Sequence, residues 1–104
     1  MSGFLGGGLF LPYAQTSVNY SLTDDNYALV CLLDGLTVTL PPANAHNLGR
    51  IFAVKSADTG IAVQVNASGT ETIDGNMGGI GLSDGQSYMF QANGNGGWIV
   101  ISIH

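Results

Sequence analysis

Charge is scarce in this chain, and positive charge is nearly missing. Its 104 residues hold only Arg50 and Lys55 as cations against seven acids, and 9% of the residues are charged. A typical soluble domain carries about 25%. Two cations cannot neutralise a run of phosphates, so nucleic acid is excluded as a partner, and a formal charge of −5 would be repelled by an anionic membrane surface. Long apolar runs are missing too. The longest, YALVCLL at 27–33, falls far short of the roughly 20 residues that a spanning helix needs. Cysteine is reduced to Cys31, inside that same run. It has no internal disulfide partner, fits assembly in a reducing compartment, and reads as a small buried hydrophobe. The amino end, MSGFLGGGLFLPYAQ, lacks a cationic n-region, and Gly6, Gly7 and Gly8 break any helical signal core, so the segment is expected to be retained.

Helical periodicity is the last absence. No stretch repeats apolar residues at i, i+3, i+4 and i+7 over two turns, whereas two-residue alternation recurs throughout. LTVTL sets Leu36, Val38 and Leu40 against Thr37 and Thr39; IAVQV and SYMFQA alternate likewise. SVNYSL, YALVCLL, IFAVK, the piece from Ile80 to Leu82 and WIVISI complete the strand candidates. Between them lie segments rich in Gly, Asn, Asp and Pro, at a spacing that indicates a sandwich or barrel. Pro41 and Pro42 mark where the Leu36 to Leu40 strand leaves its sheet, because proline cannot donate to a ladder. The fold expected is all-β, an antiparallel, jelly-roll-like β-sandwich of about eight short strands. Residues 1–16 are expected to form an extended apolar, Gly-rich arm and residues 17–104 the sandwich.

Two segments are apolar beyond what a single core requires. In WIVISI one face carries Trp98 and Val100 and the other Ile99, Ile101 and Ile103, so the second face is expected to be an oligomer seam. In the arm, Phe4, Leu5, Leu9, Phe10 and Leu11 sit among glycines with no charge before Asp24, which calls for an apolar surface to lie against.

The strand ending in LPPA, then LGRIFAVK, TETIDGN and SDGQSYMFQANGNGGWIVI follow an order that resembles the small β-structured modules of bacteriophage virion proteins, among them fibre and spike tips and head-decorating proteins. The resemblance covers roughly residues 36–103. It implies structural roles for Pro41, Pro42, Gly49, Asp74, Gly75 and Trp98, and a homotrimer whose partners are its own copies and the major capsid or another virion protein. It further implies a location in the virion after assembly in the bacterial cytoplasm. A capsid decoration or cement protein, or a head-attached fibre, fits the short amino end; the alternative is a tail fibre or spike tip that recognises a host glycan or protein. Within that pattern Arg50 and Lys55 mark the two ends of one strand. They are expected to form either an inter-subunit ion pair or contact to an acidic capsid patch, or else a solvated strand end with a weak surface pair.

Catalytic chemistry finds little support. Asp34, Asp74 and Asp84 each precede glycine and Asp58 lies two residues before Gly60, the positions of turn-capping aspartates rather than of a carboxylate pair. GGIGLSD carries its aspartate one place late for the calcium nonapeptide and fails GxGxxG, so it reads as a Gly-rich turn. His46 and His104 would form a metal site only if a threefold axis gathered copies of one histidine. The sequons at Asn19 and Asn66 matter only in a secretory pathway. Tyr13, Tyr20, Tyr27, Tyr88 and Trp98 could line a sugar groove, although Trp98 at a strand start is better placed to plug the core. No enzyme activity, metal or cofactor is expected.

Overall fold

A computed structural model describes residues 11–104, and these form ten strands: β1 (Tyr13–Thr16), β2 (Tyr20–Ser21), β3 (Ala28–Cys31), β4 (Leu36–Thr39), β5 (Ile51–Ser56), β6 (Ala62–Asn66), β7 (Thr72–Ile73), β8 (Ile80–Ser83), β9 (Ser87–Ala92) and β10 (Gly97–Ile103). Sheet A has the order β1-β3-β5-β9-β10-β7 and sheet B the order β2-β4-β6-β8. Their apolar faces enclose one core, in which Leu29, Phe52, Val54, Phe90 and Trp98 of sheet A meet Leu36, Val38, Val63, Val65 and Leu82 of sheet B.

The all-β expectation holds, but the antiparallel, jelly-roll connectivity does not. Five strand pairs are parallel (β1/β3, β3/β5, β2/β4, β4/β6 and β7/β10) and three are antiparallel (β5/β9, β9/β10 and β6/β8). Each turn up to β9 carries the chain into the other sheet, so consecutive strands face one another across the core and do not pair. From β1 to β6, strands two apart lie side by side and run the same way. Residues 13–66 thus wind as three stacked coils, each with one strand in either sheet, and the β9–β10 hairpin closes the fold. Alternation of apolar and polar residues is the same for a strand in either arrangement, so it could not distinguish them.

The arm boundary also shifts. Residues 13–16, expected within the arm, form β1 and pair with β3 from Tyr13↔Ala28 to Thr16↔Cys31. Phe4, Leu5, Leu9 and Phe10 lie outside the described residues; Leu11 is described and exposed. β7 went unpredicted, because two residues are too short for alternation to register.

Cys31 sits on the core face of β3 with no solvent exposure, and burial pushes its thiol from 9.0 up to about 11. A thiol raised in the native state keeps its proton while the unfolded chain ionises. The stabilisation is therefore fully present below pH 9 and is lost as pH climbs toward about 11. Stability measured by urea unfolding should fall across that window by roughly 2 kcal/mol more in the wild type than in Cys31→Ala, although the variant starts lower because of its cavity. Parallel pH curves for the two proteins would show that the thiol contributes nothing to the slope.

Candidate interaction surface

The motifs that are scattered in sequence converge at one end of the two sheets. Leu40 is buried as the chain leaves β4, and the carbonyl of Pro41 then accepts the indole N–H of Trp98 at 3.1 Å. Trp98 is itself buried, 5.5 Å from the ring of Phe52. The N–H of Ala43 donates to both carboxylate oxygens of Glu71, at 2.9 and 3.2 Å. Gly49 bonds on both sides, donating to Ala92 at 2.9 Å and accepting from the Gln91 side chain at 3.1 Å. A Cβ on Gly97 would fall 2.9 Å from Thr72 Oγ1 and 3.2 Å from the Thr72 carbonyl, so β10 can approach β7 only without one. Pro42 lends its carbonyl to the side-chain amide of Asn47 at 2.8 Å.

Asp74 and Gly75 form a two-residue turn with φ of 52° and 82°, closed by paired backbone bonds between Ile73 and Asn76. The Asp74 carboxylate reaches across to the N–H of Val100 at 3.0 Å. Asp34 and Asp84 behave alike, accepting from Ala62 and Gly60, each at 2.8 Å. Only Asp58 bonds within its own turn, to Thr59 at 2.7 Å. The aspartates were expected to cap their own turns; three of them instead tie a corner to a segment 24 to 28 residues away.

Arg50 and Lys55 flank and occupy β5 as expected. The guanidinium of Arg50 lies 4.4 Å from the Phe52 ring centroid, donates to the carbonyls of Asp24 and Asn26, and stands 3.6 Å from the Asp24 carboxylate. That acid is mostly exposed, so the ion pair adds little and the backbone and ring contacts dominate. Lys55 Nζ donates to the carbonyl of Gly85 at 2.5 Å. Both cations therefore bond within their own chain. Beside Arg50, the 41–49 loop borders an open cleft of about 550 Å³ lined by Asp24, Pro41, Pro42, Asn44, His46, Asn47, Leu48, Gly49 and Arg50. His46 is exposed there, while His104 Nε2 lies 2.6 Å from Ser102 Oγ at the chain end. Among the described residues no three metal-ligating side chains cluster, and no helix is long and apolar enough to cross a membrane.

The remaining candidate is the outer face of sheet A. Ile99, Ile101 and Ile103 were expected to share one stripe; all three are exposed, and a β-bulge shifts the register between Val100 and Ser102. Ile99 pairs with Gln91 and Val100 with Phe90, but the register then shifts, so that Ser102 pairs with Met89 and Ile103 with Tyr88. Ile101 and Ser102 together oppose Met89 in the bulge, and Ile103 moves to the row of Tyr88. Ile99 and Ile101 stay with a wider apolar field. One row across the strands reads Tyr13, Ala28, Ala53, Met89, with Ile51 and Val30 in the flanking rows. Lys55 is the one charged residue in the registered rows of this face. No protein-family model matches the chain, and no curated protein is significantly similar to it.

If Arg50 acts inside the subunit, Arg50→Met should lower unfolding free energy by about 1–2 kcal/mol through lost hydrogen bonds and ring stacking. Its sedimentation coefficient should match that of the wild type. A change in assembly state at unchanged stability would restore the inter-subunit role.

Proposed function

We propose that this chain is a non-enzymatic structural component of a bacteriophage virion, a trimeric decoration or cement protein or head-attached fibre. The observation that carries the reading is the outer face of sheet A, a mostly apolar face across five strands whose registered rows hold one charge, Lys55, and the uncharged polar residues Gln15, Ser87 and Gln91. Five strands at about 4.8 Å and five residues at about 3.3 Å give a face of roughly 24 by 16 Å. Its footprint of roughly 400 Å² is about half of the roughly 800 Å² per partner of a standard interface, so it would form one part of such a contact. The virion assignment itself rests on the resemblance over residues 36–103, and the convergence of those motifs on one junction supports treating them as a unit.

The chain's polar groups fit a structural role. Asp34, Asp74, Asp84 and Glu71 accept from backbone N–H groups, so the carboxylates serve to fix corners. A tail fibre or spike tip is favoured by one feature, the polar cleft beside Arg50, whose Asn44, His46 and Asn47 could meet a host glycan. The 44–48 loop that borders it and the neighbouring 93–97 loop carry no Phe, Tyr or Trp to stack on a sugar ring.

Three measurements test the reading. Wild-type protein should sediment as a trimer, and Met89→Glu or Ala53→Arg should dissociate it with little loss of subunit stability, since both lie on the outer face. Gel densitometry of purified particles should give tens to hundreds of copies, against a handful for a tail tip. Retention on particles should fail when residues 1–10 are removed; deletion to residue 14 would also cut into β1. A monomer that binds no particle contradicts the proposal.

A further inference from the structure

We infer that β1 is a self-pairing edge, through which two copies of the chain join β1 to β1 antiparallel about a twofold axis and merge their sheets A. β1 is the outer strand of sheet A. Its ladder to β3 uses the carbonyls of Pro12 and Thr16, which accept from Ala28 and Leu32. The two-residue period of the strand therefore turns the N–H and C=O of Tyr13 and Gln15 to the free side. Among the described residues these groups have no backbone partner.

Sheet edges are normally guarded by charge, proline, a bulge or extreme shortness. The opposite edge of sheet A follows that rule, being a two-residue strand closed by the Asp74–Gly75 turn. β1 has four residues, neither charge nor proline within them, and no bulge in its register. Exposed apolar surface gathers on it, with Leu11 at 46% and Tyr13 at 62%.

The occupant follows from charge and symmetry. An isologous contact sets each residue against a residue of the same segment, so any charge there would meet its own sign close by. Residues 11–23 contain none. Centring the pair on Ala14 places Tyr13 opposite Gln15 of the second copy, and both residues then exchange their free N–H and C=O groups. Their side chains already bond within one chain, Gln15 Nε2 to the Tyr13 hydroxyl at 2.8 Å, so the same pairing is available across the axis. The inference stands on β1 alone: the contact is weak and concentration-dependent, so copies held in threes by the apolar face of sheet A sediment as trimers when dilute and join through β1 as the concentration rises.

Cysteine cross-linking in the full chain reads the register. At the axis Ala14 faces its own counterpart as the non-hydrogen-bonded pair, with Cβ atoms about 4.5–5.5 Å apart, close to disulfide reach. Ala14→Cys should form a covalent two-chain species under mild oxidant at least ~10-fold faster than Gln15→Cys or the loop control Asn95→Cys. Cys31 is buried and stays out of the reaction. Backbone amide exchange at Tyr13 and Gln15 should slow as protein concentration rises. Equal cross-linking rates for the three variants would overturn the proposal. So would protection of those amides that vanishes when residues 1–10 are removed while the assembly keeps its size, which assigns the edge to the chain's own amino-terminal segment. Protection that appears only on adding particles would assign it to a foreign strand and overturn it equally.

Discussion

The structure depends on what its corners do. Each one sends the chain across the core to the other sheet, so a short strand can never pair with its sequence neighbour until β9 meets β10. Such corners leave polar backbone groups open to water, where a hydrogen bond made within the chain is worth about 0.5–1.5 kcal/mol. Carboxylates answer that need here. Asp34, Asp74 and Asp84 each accept from the backbone of a segment far along the chain, so a corner is fixed by its spatial neighbour rather than by itself. Stacked coils become cooperative as a result, since the removal of one strand strips partners from corners elsewhere.

This explains which parts of the architecture were legible from the residues. LTVTL, IAVQV and SYMFQA alternate cleanly because each has one face on the core and one outside, and all three appear as strands near their expected bounds. Pairing direction was not legible. It depends on whether a turn such as SADTG folds back within a sheet or crosses between sheets, and the same Asp and Gly residues serve both geometries. The Asp84–Gly85 turn illustrates the point: its φ values of 56° and 82° are those of a hairpin turn, yet it links β8 of sheet B to β9 of sheet A. The seam on β10 was legible as an apolar surplus but not as a face, because one bulged residue after Val100 shifts everything beyond it. β1 was hidden for a different reason. Its YAQT carries little β-branched content, and it is a strand only because β3 offers it a ladder.

The scarcity of cations acquires a physical sense in the same frame. Arg50 is held by Phe52 and by carbonyls at Asp24 and Asn26, just ahead of β5, while Lys55 meets the carbonyl of Gly85 at its other end. Each is placed where unpaired carbonyls collect at a corner, and neither is free to attract a distant anion. Positive charge in this chain is thus a device for closing loops. The acids do the complementary work on N–H groups, and the two sets need not meet as ion pairs. The weak Arg50–Asp24 contact is the single salt bridge among the described residues.

A fold assembled this way separates its two external surfaces by kind. The outer face of sheet B presents Thr37, Thr39, Gln64 and Asn66, polar and uncharged, and these side chains are content with water. The outer face of sheet A presents Ala28, Val30, Ala53, Met89 and, from β10, Ile99 and Ile101, which are not. This field is half-buried at its centre and exposed at Tyr13, Ile99 and Ile101, and an assembly that covers it gains about 25 cal/mol for each Å² of apolar surface removed from water. Since the registered rows of this face hold no charge but Lys55, the acids lie away from the contact, and covering sheet A costs chiefly the freedom of the associating copies. The same economy of charge that closes the loops therefore leaves the molecule predisposed to associate through its faces and edges.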